Sequence, residues 1–539
     1  MSLDLSQSLQ RALQHLQAGR HRDCLKLCDQ LLIRYPGTIQ ALYLRGCASF
    51  HTGDHGRSID DLETVHRNQP QHLHAAYYYG RSLRVAGRLE AALEPLQSAL
   101  AEPNLEIHSR YELAICLTGL RRRTEAIDHY QSIFRLQPGN AQVAANLAAL
   151  LERENQLEQA DIWTSKALSL DAYNETAQIT RARLDRRCGH YSQAVQRLKR
   201  LIKKLEHPNN LSIAWNQLGQ CHESQGHWNQ AFNAFTESNR VLMTHHAGAR
   251  SDPRGPHGLQ TLERIHSWLQ LNPVRSWKKP SSPDRGGIAF LVGFPRSGTT
   301  LLDHMLGSHP AIEVLEEKSL FSSLHQDWSA AGTLEALAGI SDAQINDARH
   351  IYHLEVSRHR RQPGRSLVID KLPLNLAYIF LIHRLFPQAP IIFLQRHPLD
   401  VCVSCYFQAF ELQASMAYFL DIRQTARYFN AVMQVAKLSL EQVSNPLHCL
   451  RYEDLVITPE AQLRALLGFL TLQWDDSMLN YRQHGDVHTS NTPSYQQVSQ
   501  PLYTRSIGKW QHYANQLEPC FPALMPWVEH FQYDKEPSS

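Results

Sequence analysis

No run in this 539-residue sequence approaches the ~18 to 20 uncharged apolar residues that a helix needs to cross a bilayer. The first residues, MSLDLSQSLQRALQHLQ, also lack the basic and then apolar regions of a secretory leader. A cytoplasmic protein with no membrane partner is therefore expected. An excess of one charge is equally absent: 54 Lys and Arg face 51 Asp and Glu, a formal net charge of +3. These totals argue against a basic polyanion-binding protein, so any cationic site must be local and no nucleic-acid partner is expected. Ten cysteines run from Cys24 to Cys520 without the paired spacings of a disulfide framework or a zinc ribbon. Cys402 and Cys405 form an isolated C-x-x-C inside an expected helix, where packing explains them better than redox or metal chemistry. The 30 histidines include no H-E-x-x-H, so no metal is expected. Glycine and proline, 26 each, are too few for a low-complexity chain.

What the sequence does have is length and a period. At roughly 150 residues per domain, 539 residues predict several units or a repeat array joined to a larger domain. Gly19, Gly53, Gly87, Arg121, Asn155 and Gly189 recur every 34 residues, and Gly226 follows after a slightly longer step. Five residues after each stands Cys24, Ser58, Ala92, Ala126, Ala160, Ala194 or Ala231, as helices that cross closely require. Pro36, Pro70, Pro103, Pro138 and Pro208 are read as closing the second helix of most units. This pattern, with Trp215-Asn-Gln-Leu218-Gly219 followed by Ala231 and Phe235, resembles the tetratricopeptide repeat over about 235 residues. Such arrays form solenoids that bind peptides or serve as spacers and oligomerisation platforms, and both readings stay open.

Beyond residue 287 the texture changes. Short apolar runs at Ile288–Gly293, Ser366–Asp370 and Ile391–Gln395 alternate with amphipathic segments, which predicts a parallel α/β sheet with ligands at its carboxyl edge. The first run leads into Gly293-Phe-Pro-Arg296-Ser297-Gly298-Thr299-Thr300, the spacing of a phosphate-binding loop. Thr299 replaces the lysine of a nucleotide triphosphatase and Arg296 sits inside the loop, so a conventional ATPase or kinase is disfavoured.

Pro295-Arg-Ser-Gly-Thr-Thr300 together with Arg396-His-Pro-Leu-Asp-Val-Cys-Val-Ser404 resembles the two cofactor signatures of sulfotransferases. That resemblance implies 3′-phosphoadenosine 5′-phosphosulfate as sulfuryl donor. Arg296, Ser297, Gly298, Thr299 and Thr300 would hold the 5′-phosphosulfate, and Arg396 and Ser404 the 3′-phosphate. His309-Pro310 followed by Glu316-Glu317 is similar to the tyrosylprotein branch, and this implies Glu317 as catalytic base. The same likeness implies that Lys371, in Asp370-Lys-Leu-Pro373, contacts the oxygen of the leaving phosphate and that Tyr452 lies by the nucleotide. It also implies Ser494 near the sulfuryl group and Lys509, 15 residues later, on the nucleotide phosphate.

The chain departs from that branch at Lys318 and Ser319, where the family has Thr-Arg, and at Gln408, where it has another arginine. The animal enzymes carry a membrane anchor in place of repeats. Expected from all this is an α-helical repeat solenoid over 1–243, a linker over 244–286 and an α/β sulfotransferase domain with a parallel sheet over 287–539. The expected reaction moves a sulfuryl group to a hydroxyl, that of tyrosine in a protein or peptide recruited by the repeats. A carbohydrate or small-phenol acceptor, or a scaffold with a vestigial site, is the alternative; the oligomeric state, a homodimer included, is open.

Overall fold

The computed structural model describes residues 3–120, 122–245, 255, 257–278, 280–284, 286–318, 320–321, 333–410, 415–481 and 502–534. Two compact units emerge, Met1–Leu201 and Ile202–Ser539.

The first unit consists of helical pairs. They are α1 (Leu3–Gln17) with α2 (His21–Arg34), α3 (Ile39–Thr52) with α4 (His55–Asn68), and α5 (Leu73–Val85) with α6 (Leu89–Ser98). Then follow α7 (Glu106–Gly119) with α8 (Arg123–Leu136), α9 (Ala141–Arg153) with α10 (Leu157–Leu170), and α11 (Glu175–Arg187) with α12 (Tyr191–Ile202). The periodic glycines are the turns inside these pairs. Gly19, Gly53, Gly87 and Gly189 have φ of 71°, 85°, 77° and 81°, and Asn155 takes the same left-handed conformation at 59°. Asparagine is one of the few residues with a side chain that enters this region readily; Arg121 lies outside the described residues. Cys24, Ser58, Ala92, Ala126, Ala160 and Ala194 are fully buried where helices cross. A close approach is at Gly80, where an added Cβ would stand 2.5 Å from Leu96 Cγ.

A seventh pair, α13 (Pro208–Ser224) and α14 (Trp228–His245), falls in the second unit. Pro208 opens α13 instead of closing the helix before it, because at the first helical position proline has no intrahelical hydrogen bond to lose. Helix α15 (Leu259–Leu271) lies within the segment read as a linker, and its buried Leu262, Ile265 and Leu269 join the core under the sheet.

Five parallel strands form that sheet: β1 (Ile288–Gly293), β2 (Ile312–Glu316), β3 (Leu367–Lys371), β4 (Ile391–Gln395) and β5 (Leu447–Arg451), in the order β2-β3-β1-β4-β5. All six residues of β1 are buried, as a central strand covered on both faces requires. The edge strands β2 and β5 were not singled out in the sequence, because they mix polar with apolar residues. Glu313 in β2 is buried yet satisfied, accepting from Arg360 Nε at 2.9 Å and from the Gln362 N–H at 3.0 Å. From β1 the chain passes through α16 (Thr299–Gly307) to β2 on one side, while β4 flanks β1 on the other. The carboxyl ends of β1, β3 and β4 therefore border the crevice where doubly wound sheets bind ligands. Among the described residues no helix is long and apolar enough to cross a membrane.

Two glycine substitutions test the packing with opposite signs. Gly80→Ala should destabilise by about 1–3 kcal/mol through overpacking against Leu96. Gly468→Ala, in the helix Pro459–Phe469 with nothing within 4 Å of the new methyl, should stabilise by about 0.4–1 kcal/mol. Chemical unfolding of each variant reads both.

Candidate functional site

The loop between β1 and α16 is shaped by close approach. A Cβ on Gly293 would fall 2.8 Å from the Leu394 carbonyl oxygen, and one on Gly298, at φ +98°, would fall 2.4 Å from the Tyr452 ring. Arg296 itself adopts φ 72°, a left-handed conformation that a long side chain holds only under constraint from its surroundings. Part of that constraint is visible. Arg396, the first residue after β4, donates from Nη1 to the Arg296 carbonyl at 3.0 Å and from Nη2 to the Ser506 carbonyl at 2.6 Å. Its guanidinium lies 4.6 Å from the Tyr452 ring centroid, and Tyr452 in turn packs on Gly298. Arg296 Nε donates to Ser404 Oγ at 3.1 Å, in the helix Pro398–Phe407. Arg296, Ser297, Gly298, Thr299, Thr300, Arg396, Ser404 and Tyr452 thus form one cluster, with Ser297, Thr299, Thr300 and Arg396 buried.

Burial, reinforced by Arg396, holds the Arg296 guanidinium below its usual range. Two neighbouring guanidinium groups beside the N-terminus of a nine-residue helix make an anion site. Among the described residues the buried Arg396 Nε has no hydrogen-bond partner, and an incoming phosphate oxygen would satisfy it. These donors fit a phosphosulfate nucleotide.

A second cluster stands at the ends of β2 and β3. Lys371 is fully buried, and its Nζ lies 3.3 Å from Asp303 Oδ2, 3.4 Å from Glu316 Oε1 and 3.3 Å from Glu317 Oε1. Burial alone would lower the lysine pKa, but Asp303, Glu317 and Glu316 outweigh it and raise it. One ammonium shared by three carboxylates leaves an excess of negative charge. Asp303, buried on α16, is accordingly pushed up to about 7 by burial, opposed by Lys371 and reinforced by Glu316. Glu317 is the most open member, its side chain 38% exposed. It adopts φ 48° while its N–H donates to the Lys371 carbonyl at 2.7 Å. Behind this cluster the Tyr352 hydroxyl donates to Asp370 Oδ2 at 2.9 Å, and burial pushes Asp370 up to about 7.

The carboxy-terminal segment is pinned by Asp400, whose two oxygens accept from the N–H groups of Gly508 and Trp510, both at 2.8 Å. Lys509 lies between them, and its ammonium is paired with Glu223 of α13 at 2.7 Å. Ser494 lies outside the described residues, as does Ser319. Cys402 and Cys405 are buried, and burial raises both thiols far from reactivity. Sequence reading missed Asp303, Asp400 and Glu223. Asp303 carried a signal, a lone carboxylate in the apolar run Thr299-Thr-Leu-Leu-Asp-His-Met-Leu; the other two did not. Among the described residues no cluster of His, Cys, Asp and Glu has a metal-site arrangement.

Comparison with known proteins agrees with this architecture. Residues 289–476 match the model of the sulfotransferase family, and residues 53–105 match a tetratricopeptide repeat. A protein of Aquifex aeolicus with no assigned activity is 31% identical over 266 residues, 45% of this chain and 34% of that one. Protein-tyrosine sulfotransferase A of Caenorhabditis elegans is 30% identical over 260 residues, 45% of this chain and 65% of its own. Protein-tyrosine sulfotransferase 2 of Gallus gallus is 27% identical over 262 residues, 46% and 69% respectively. The chain thus spans about a third of the bacterial relative and about two thirds of the animal ones. Among solved structures, the repeat protein YrrB covers 32% of this chain and 88% of its own at 19% identity, with a TM-score of 0.30. The chain carries tetratricopeptide-like repeats followed by a parallel-sheet sulfotransferase domain.

Asp370 gives the site a pH signature. Its folded pKa, about 7, exceeds the unfolded value of 3.8. Its stabilising contribution is therefore complete below pH 4 and is lost as pH rises toward 7, at about 1.4 kcal/mol for each pH unit crossed between the two values. Asp370→Asn should remove this component, so the stability difference between wild type and variant, followed by urea unfolding from pH 4 to 8, changes steadily between about pH 4 and 7 and then levels off.

Proposed function

We propose that this chain is a sulfotransferase acting on a hydroxyl acceptor, with 3′-phosphoadenosine 5′-phosphosulfate as donor and tyrosine in a protein or peptide as acceptor. The observation that carries it is the adjacency, on one sheet edge, of an arginine-lined anion loop at β1 and β4 and a carboxylate–lysine cluster at β2 and β3. When bound, the nucleotide supplies the sulfuryl group. Arg296, Arg396, Ser404 and the first N–H groups of α16 bind its anionic ends, and Tyr452 braces Arg396 from below.

Glu317 is the base. A tyrosine hydroxyl, with an ordinary pKa near 10, is protonated at neutral pH, and the exposed carboxylate at the rim can accept its proton. Lys371 holds Glu317 in place, and the family resemblance assigns it to the oxygen of the leaving phosphate. The family resemblance assigns Lys509 to the nucleotide phosphate and Ser494, which lies outside the described residues, to the sulfuryl group. The tyrosine acceptor draws support from the names of the animal relatives and from repeats of a kind that hold peptides. The cytoplasm is the proposed location.

Incubation of the full chain with radiolabelled donor and a cell lysate tests the reading. Label should appear on protein tyrosine, and Glu317→Gln should lower transfer by about 10²–10⁴-fold while nucleotide binding persists. Label on glycan or small phenols alone would overturn the tyrosine acceptor. Full activity in Glu317→Gln would overturn the base.

A further inference from the structure

Helices α13 and α14 are repeat-like in sequence, yet they grip the two elements that carry the cofactor-site residues. Asn216 Nδ2 donates to the Phe407 carbonyl and Asn239 Nδ2 to the Tyr406 carbonyl, both at 2.9 Å, so α13 and α14 cap the carboxyl end of the helix that holds Ser404. Phe235 stacks on Phe407 with ring centroids 4.1 Å apart, and the Tyr406 hydroxyl meets Thr236 Oγ1 at 2.9 Å. On the other element, Trp228 stacks on His512 at 3.9 Å and Gln516 Nε2 donates to Asn229 at 2.7 Å. Glu223 stands at the junction. Its Oε1 lies 2.7 Å from Lys509 Nζ and accepts from the Tyr513 hydroxyl at 2.9 Å.

We propose that Glu223, supplied by the repeat hairpin, is a positioning residue of the nucleotide site that holds the Lys509 ammonium and competes for it with the phosphate of the bound nucleotide. The inference rests on the nucleotide reading above. The main chain on both sides of Lys509 is fixed by Asp400, so only the lysine side chain is free to choose its partner. Glu223 is only 22% exposed and carries one negative charge next to a site built for anions. An approaching phosphate meets a repelling carboxylate and a lysine whose charge is already balanced. Any ligand or contact that draws α13 away would hand Lys509 to the nucleotide, which makes nucleotide affinity sensitive to what the hairpin touches.

The test is a double-mutant cycle on the full chain, with adenosine 3′,5′-bisphosphate as probe. Glu223→Gln keeps an acceptor for Tyr513 and removes the charge. It should tighten binding by about two- to fivefold at low salt, the range of a partly exposed charge pair. Lys509→Ala should weaken binding, and in that background Glu223→Gln should give only a smaller gain, that of the lost repulsion without the released lysine. A residue that merely braces the hairpin would weaken binding when altered, equally in both backgrounds. Wild-type binding together with unchanged or weaker binding by Glu223→Gln overturns the inference alone. A wild-type chain that does not bind the bisphosphate overturns the nucleotide reading and the inference with it.

Discussion

Arg396 joins three segments that the sequence keeps far apart. Its guanidinium fastens the loop after β1 through the Arg296 carbonyl, the carboxy-terminal segment through the Ser506 carbonyl, and the helix after β5 through the Tyr452 ring. The charge that does this sits next to a second guanidinium, and the nearby carboxylate of Asp400 is committed to two backbone N–H groups. Two cations held together in a partly desolvated pocket are unfavourable without an anion between them. The loop's left-handed Arg296, the glycine beneath Tyr452 and the placement of Ser404 all serve to keep that pocket in shape.

The opposite charge arrangement at β2 and β3 complements it. There a single lysine binds three carboxylates, and the outermost, Glu317, is held in a conformation that non-glycine residues seldom adopt. Among the described residues five non-glycine positions have positive φ, and two of them are Arg296 and Glu317. Strain concentrated at the two ends of one sheet edge is what a site built to orient charged groups requires. The sheet makes this possible because β1 is flanked by β3 and β4, so residues 296, 371 and 396 emerge on the same edge.

Much of this was legible in the sequence for identifiable reasons. The 34-residue period showed the paired helices because turn geometry demands φ values that glycine and asparagine tolerate. Gly293 and Gly298 marked the loop because the backbone there is approached by Leu394 and Tyr452. Strands β2 and β5 escaped because edge strands need not be uniformly apolar. Asp400 and Glu223 escaped because their roles come from partners more than 100 positions away: Gly508 and Trp510 in one case, Lys509 and Tyr513 in the other. Long-range polar contacts leave no local period, so only the fold reveals them.

The proposed chemistry requires that Arg296 and Arg396 form one nucleotide-anion site, and a binding measurement tests this without reference to the acceptor. Calorimetric titration of the full chain with adenosine 3′,5′-bisphosphate over a range of salt should give a saturable affinity that weakens as salt rises. Arg396→Lys, which preserves charge but not the planar donor geometry, should weaken it by about tenfold or more. Unchanged affinity in Arg396→Lys, or no binding by the wild-type chain, would contradict the account.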